Sequence, residues 1–162
     1  KDIIRILKYN LRSQVFAKSL TMPMVIGGLK RLDLLRSRPE IKAKLWENVN
    51  KLQNGLKERG FNLGNTNTCV TPVMMQGSTV EATLLVKDLR ENYGIFTSVV
   101  IYPVIPKGMI LLRLIPTASH TDAEINETLE AFDAIHDKLT SGFYKEQEQK
   151  LLEEKGLSFK AS

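Results

Sequence analysis

The stretch Met109-Ile110-Leu111-Leu112-Arg113-Leu114-Ile115 sets one guanidinium among apolar neighbours. A buried guanidinium is costly unless paired or hydrogen-bonded, and its planar fork of donors matches the oxygen pair of a carboxylate or phosphate. Three placements are open to Arg113. It grips a ligand's carboxylate or phosphate; it forms an internal ion pair, with Glu81 or Asp88 as the acid; or strand alternation sets it on an exposed sheet face. Other chemistry-bearing residues are few. Cys69, the only cysteine, sits in a β-branched run and is expected as a buried strand residue. With no second cysteine and no histidine nearby, it receives no metal or nucleophilic role. His120 directly precedes Thr121 and is expected to hydrogen-bond near that turn, while His136, beside Ile135, is expected at the core edge or surface. The sequence holds no glycine-rich phosphate loop and no nucleophile beside a base.

The elements that must position these residues can be read from period and punctuation. Residues 2–10 carry Ile3, Ile4, Ile6 and Leu7 against Arg5 and Lys8, the end of an amphipathic helix. Leu11 to Leu20 breaks the period and reads as an extended connection. Thr21-Met22-Pro23 opens a helix to about Arg36, and its Gly27-Gly28 pair is expected to pack closely against another backbone. Pro39 opens the next helix, whose stripe of Ile41, Leu45, Val49, Leu52 and Leu56 runs to a stop at Gly60. A strand is expected over Thr68 to Met75, with Pro72 arguing for an edge or a bulge. Ser78 and Glu81 are spaced as a capping box for a helix to Tyr93. Strands are expected over Ile95–Ile101 and Met109–Ile115, joined by a loop stiffened by Pro103 and Pro106. Thr121 and Glu124 repeat the capping box before a helix ended by Gly142. Lys145 to Lys155 reads as a charged surface tail helix. The expected fold is therefore α+β, a small three-stranded sheet covered on one face by helices.

A chain of 162 residues is long enough to bury a core as one domain. The net charge of +5 raises the question of nucleic acid. Its basic residues, however, are mixed with acids along helices (Lys42, Lys44, Glu47, Lys51, Lys57, Glu58, Arg59), and no basic run is interleaved with aromatics. A solvated lysine-rich surface accounts for the charge, with no nucleic-acid partner. No apolar run approaches the roughly 20 residues of a membrane span. A lone thiol suits a reducing, cytoplasmic setting. Lys1 begins directly in helical pattern, so a longer parent chain is expected.

Several segments in one order resemble a known family. Tyr102-Pro103-Val104-Ile105-Pro106-Lys107-Gly108, then Leu112-Arg113-Leu114, then Ala118-Ser119-His120-Thr121, resemble the C-terminal signature of the α-oxoamine synthases. Phe16-Ala17-Lys18-Ser19-Leu20, Leu45-Trp46-Glu47-Asn48 and Gly94-Ile95-Phe96 extend the likeness over about residues 1 to 140. The Tyr102–Gly108 loop is most similar to that of the 2-amino-3-ketobutyrate CoA ligase (glycine C-acetyltransferase) branch. Oxononanoate synthases tend to have Arg-Pro-Pro there, and a serine palmitoyltransferase arginine falls where this chain has Ile101.

The resemblance implies the C-terminal small domain of a fold-type I pyridoxal-phosphate enzyme, a homodimer that condenses a glycine-like amino acid with an acyl-CoA to an α-amino ketone. It implies that Arg113 binds the amino-acid carboxylate. It also implies that the segment at Phe16–Leu20 reaches the cofactor phosphate of the neighbouring subunit. There the family's usual serine or threonine is replaced by Ala17, leaving Lys18 or Ser19 to supply the contact. The Schiff-base lysine would lie upstream, so the chain alone is expected to be inactive. On this reading residues 1–20 end the large domain, 21–140 form the small domain and 141–162 a helical tail. Members resembling serine palmitoyltransferase or 8-amino-7-oxononanoate synthase are the alternatives within the family. A non-catalytic α+β interaction module is the alternative of another class.

Overall fold

A computed structural model describes residues 1–17 and 19–154 of the chain. It divides into two compact units, residues 1–39 and 40–162. The first is helical: α1 (Asp2–Asn10), α2 (Arg12–Val15) and α3 (Met22–Ser37). The connection expected to be extended thus contains a helical turn. Between α1 and α2 only Leu11 leaves helical geometry, with ψ at 113°, and the chain resumes with Val15 N–H donating to Leu11 O at 2.9 Å. One such residue shifts the apolar stripe, which looks in sequence like the loss of a helix. The Gly27-Gly28 pair is not crowded either. Among the described residues an added Cβ at Gly28 meets nothing within 4 Å, and at Gly27 only the Arg31 guanidinium at 3.7 Å.

The second unit starts along α4 (Pro39–Glu58) and continues β1 (Thr71–Gln76), α5 (Thr79–Tyr93), β2 (Ser98–Val100), β3 (Met109–Leu114), α6 (Asp122–Thr140) and α7 (Phe143–Glu154). The strands form an antiparallel sheet in the order β1-β3-β2. Pro72 lies on β1, an edge strand, where its missing N–H breaks no ladder bond to a further strand of the sheet. Val73 and Leu112 on one sheet face join Leu52 and Leu56 of α4, Leu85 and Leu89 of α5, and Leu129, Phe132 and Ile135 of α6 in a single core. Helices therefore cover one face of the sheet, the α+β layer expected from the element order.

Capping boxes open both α5 and α6, as the spacing predicts. Ser78 accepts from the Glu81 amide while Glu81 accepts from the Ser78 amide, and Thr121 and Glu124 repeat the exchange. Gly94, at φ 68°, closes α5 in the left-handed geometry that glycine adopts without strain.

Two further local expectations fail. Cys69 is half-buried in a bend before β1, not within a strand. The hydroxyls of Thr66 and Thr68 both donate to Val70 O, at 3.0 and 3.3 Å, and so satisfy backbone that a ladder would otherwise engage. The last helix, expected as a surface tail, is anchored. Tyr144 is 2% exposed, its hydroxyl donates to Asp88 at 2.6 Å, and Ser78 donates to Glu148 at 2.8 Å.

Candidate functional site

Along β3 the side chains alternate: Ile110, Leu112 and Leu114 are buried, while Met109 and Arg113 are exposed. The apolar neighbours of Arg113 thus enter the core and Arg113 leaves by the other face. The internal ion pair is excluded by where the acids are engaged. Glu81 accepts from the Ser78 amide at 2.6 Å, and Asp88 is held by Lys138, Tyr144 and Asn92. Arg113 stands opposite Pro72 on β1 and Ser98 on β2. Its Nε donates to Ser98 Oγ at 3.0 Å, and Thr97 Oγ1 donates to its backbone oxygen at 3.2 Å. The bond to Ser98 takes the single Nε hydrogen and leaves the four Nη hydrogens to face a ligand. The two Nη atoms have the donor geometry that matches the oxygen pair of a carboxylate.

The chain leaves β3 into a turn that α4 holds from beneath. Asn48, fully buried, donates through Nδ2 to Thr117 O at 2.9 Å and to His120 O at 2.8 Å. The Thr117 amide donates to His120 Nδ1 at 2.8 Å, so the imidazole accepts there, as expected of a turn-bonding histidine, and its other nitrogen carries the proton. Asn48 Oδ1 is buried without a partner among the described residues, so the side chain ties the turn through its two Nδ2 bonds. At Glu124 the backbone and hydroxyl bonds from Thr121 hold the carboxyl below its usual range, keeping the cap of α6 charged and formed. Before β3, Lys107 lies 5.5 Å above the exposed Tyr102 ring. His136 is exposed at the core edge, 5.6 Å from Phe61 in an edge-to-face contact.

Sequence reasoning missed Ser98 and Asn48. Asn48 left a signal, an amide adjoining the apolar stripe of α4. Ser98 left none, because its meaning depends on strand register. Of the cofactor-binding candidates, Ser19 belongs to the first unit, exposed on irregular backbone before α3. Its hydroxyl fits a phosphate oxygen as one donor. Lys18 lies outside the described residues.

The chain resembles known proteins over most of its length. It is 63% identical over 154 residues to the cysteate-C-fatty acyltransferase of Capnocytophaga ochracea, covering 95% of this chain and 37% of that protein. It is 30% identical over 139 residues to the 2-amino-3-ketobutyrate coenzyme A ligase of Escherichia coli K12, covering 86% and 34%. A high-resolution structure of SPT with PLP superposes at a TM-score of 0.70 with 28% identity, covering 81% of this chain and 33% of that one. The chain spans about a third of the length of these relatives. Residues 1–132 match the model of aminotransferase class I and II, and the chain belongs to that family.

Proposed function

We propose that the protein containing this chain is a pyridoxal-phosphate-dependent acyltransferase joining an amino acid to an acyl-CoA, with Arg113 holding the amino-acid carboxylate. The observation that carries this reading is the exposed guanidinium on β3, fixed at Nε by Ser98 with its Nη edge open. Arg113 orients and binds the carboxylate but moves no proton. The cofactor, when bound, supplies the electron sink for carbon–carbon bond formation with the thioester. Ser19, with Lys18, is assigned to the phosphate of a cofactor held mainly by the neighbouring subunit of a homodimer. The lysine that links the cofactor is placed outside these 162 residues, so the chain by itself is inactive.

The substrate pair is a finer question. The Tyr102–Gly108 loop favours glycine and acetyl-CoA, the substrates of the 2-amino-3-ketobutyrate CoA ligase branch. The 63% identity to a relative named for cysteate and a fatty acyl group, against 30% for the ligase, supports cysteate and a long-chain acyl-CoA. We adopt the second pair. The test is CoA release by the whole protein from glycine, serine or cysteate against acetyl-CoA and palmitoyl-CoA. Fastest release is expected from cysteate with palmitoyl-CoA. Preference for glycine with acetyl-CoA would restore the ligase assignment, and no release from any pair would overturn acyl transfer.

A further inference from the structure

We infer that Ser98 is a positioning residue for substrate binding: it occupies the Nε edge of Arg113 and so directs the amino-acid carboxylate to the Nη1/Nη2 edge. The inference rests on the reading of Arg113 as the carboxylate fork. An arginine offers a carboxylate two edges, the side formed by Nε with one Nη and the end formed by both Nη atoms. A free arginine on an open sheet face would use either, and would sample many rotamers between binding events.

Three features of this sheet remove that freedom. Ser98 stands directly across the ladder from Arg113, on the same face, where paired side chains meet. Its Oγ accepts the Nε hydrogen at 3.0 Å, which closes the side edge. On the other flank the register partner is Pro72, whose ring has no polar atom to compete for the guanidinium. The backbone under Arg113 is tied as well, since Thr97, 5% exposed, donates to the Arg113 carbonyl at 3.2 Å. Two consecutive hydroxyl residues, Thr97 just before β2 and Ser98 at its start, thus fix one residue of β3, Thr97 its main chain and Ser98 its side chain. Of the remaining residues on that sheet face, Met74, Val100, Met109 and Leu111 are apolar and Gln76 is uncharged, so none among them offers the carboxylate a second cation.

The experiment uses the whole cofactor-loaded protein without acyl-CoA and reads the dissociation constants of cysteate and taurine from the change in visible absorbance. Taurine keeps the amine and sulfonate of cysteate but has no carboxylate. Ser98→Ala should weaken cysteate about fivefold to tenfold, in keeping with loss of one charge-assisted hydrogen bond, and leave taurine within about twofold. Ser98→Thr, which keeps the hydroxyl, should restore cysteate to within about twofold. Unchanged cysteate binding in Ser98→Ala, equal weakening of taurine, or no rescue by threonine would each overturn the positioning role. Arg113→Leu separates this from the underlying reading. If it weakens cysteate alone, the fork stands whatever Ser98 does. If it leaves cysteate unchanged, or weakens taurine equally, the carboxylate assignment falls and Ser98 with it.

Discussion

Two charged residues in this chain show opposite uses of charge. Arg113 is exposed and tethered at one nitrogen, so its charge is available to something outside the chain. Replacing it by lysine keeps the charge but loses the planar pair of donors. In the whole protein Arg113→Lys should raise the KM for the amino acid about tenfold and Arg113→Leu about a hundredfold, as the loss of one or two charge-assisted bonds implies. Steady-state kinetics at saturating acyl-CoA decides it, and an unchanged KM would sink the assignment. Asp88 is the contrary case, 9% exposed and spent entirely on its own fold. Burial would raise its pKa, yet the bonds from Lys138, Tyr144 and Asn92 and the lysine charge outweigh it, and the carboxyl stays below its ordinary range. A depressed folded pKa contributes stability that is present above the unfolded value of 3.8 and lost as pH falls through the lower folded value. Asp88→Asn should therefore cost about 2 kcal/mol at neutral pH by removing the acid that pairs with Lys138. It should also flatten the loss of stability below about pH 4. Urea unfolding at pH 7 and pH 3 tests both, and equal destabilisation at the two pH values would refute the titration argument.

The elements meet at places that leave no room for substitution. Gly55 faces α6 from α4, and a Cβ there would lie 2.6 Å from Leu129 Cδ1 and 3.2 Å from its Cγ. Alanine would gain about 1 kcal/mol of helix propensity but force Leu129, itself buried, off its packing at about 1–3 kcal/mol. We expect Gly55→Ala to be net destabilising by roughly 1 kcal/mol, and the double variant with Leu129→Ala to show that the two costs are not additive. A stabilised single variant would contradict the packing described. Whatever is local in these elements was legible in the sequence. The Ser78/Glu81 and Thr121/Glu124 boxes, the stops at Gly60 and Gly94 and the stripe of α4 all depend on residues within a turn or two of each other. What was not legible is set by contacts far apart in the chain. Asn48 bonds residues 69 and 72 positions away, Ser98 meets Arg113 only in the β2–β3 register, and Tyr144 anchors α7 to an aspartate 56 residues earlier. The same holds for the site. Arg113 drew attention by its apolar neighbours, and of the placements left open in sequence the strand's alternation took the exposed one. Cys69 misled for a third reason, since β-branched residues favour strands while threonine hydroxyls, spaced two apart, build a bend.

At the scale of the whole chain, the two units differ in what their residues are partnered with. From α4 onward, many apolar side chains have a core and several basic residues have acids: Lys44 and Lys51 with Asp122, Arg59 with Asp133, Lys138 with Asp88. The residues before it have no buried position among those described. Ile3 is 75% exposed, Leu29 63% and Leu35 68%. A helix gains most of its stability from packing an apolar face, not from propensity, so helices this apolar and this bare call for a covering surface. The relatives are about three times as long as the stretch they share with this chain, which is length enough to supply one in the intact protein. The 162-residue chain by itself should therefore self-associate through α1 and α3. Sedimentation velocity should show mass rising with concentration, and replacing Ile26 and Leu29 by glutamate should reduce it without loss of the second unit's cooperative unfolding. On addition of pyridoxal phosphate the isolated chain should develop no band near ~420 nm, the absorbance of a lysine-linked cofactor. A monomer at every concentration would show that these helices close on their own, and such a band would show that a lysine of this chain links the cofactor.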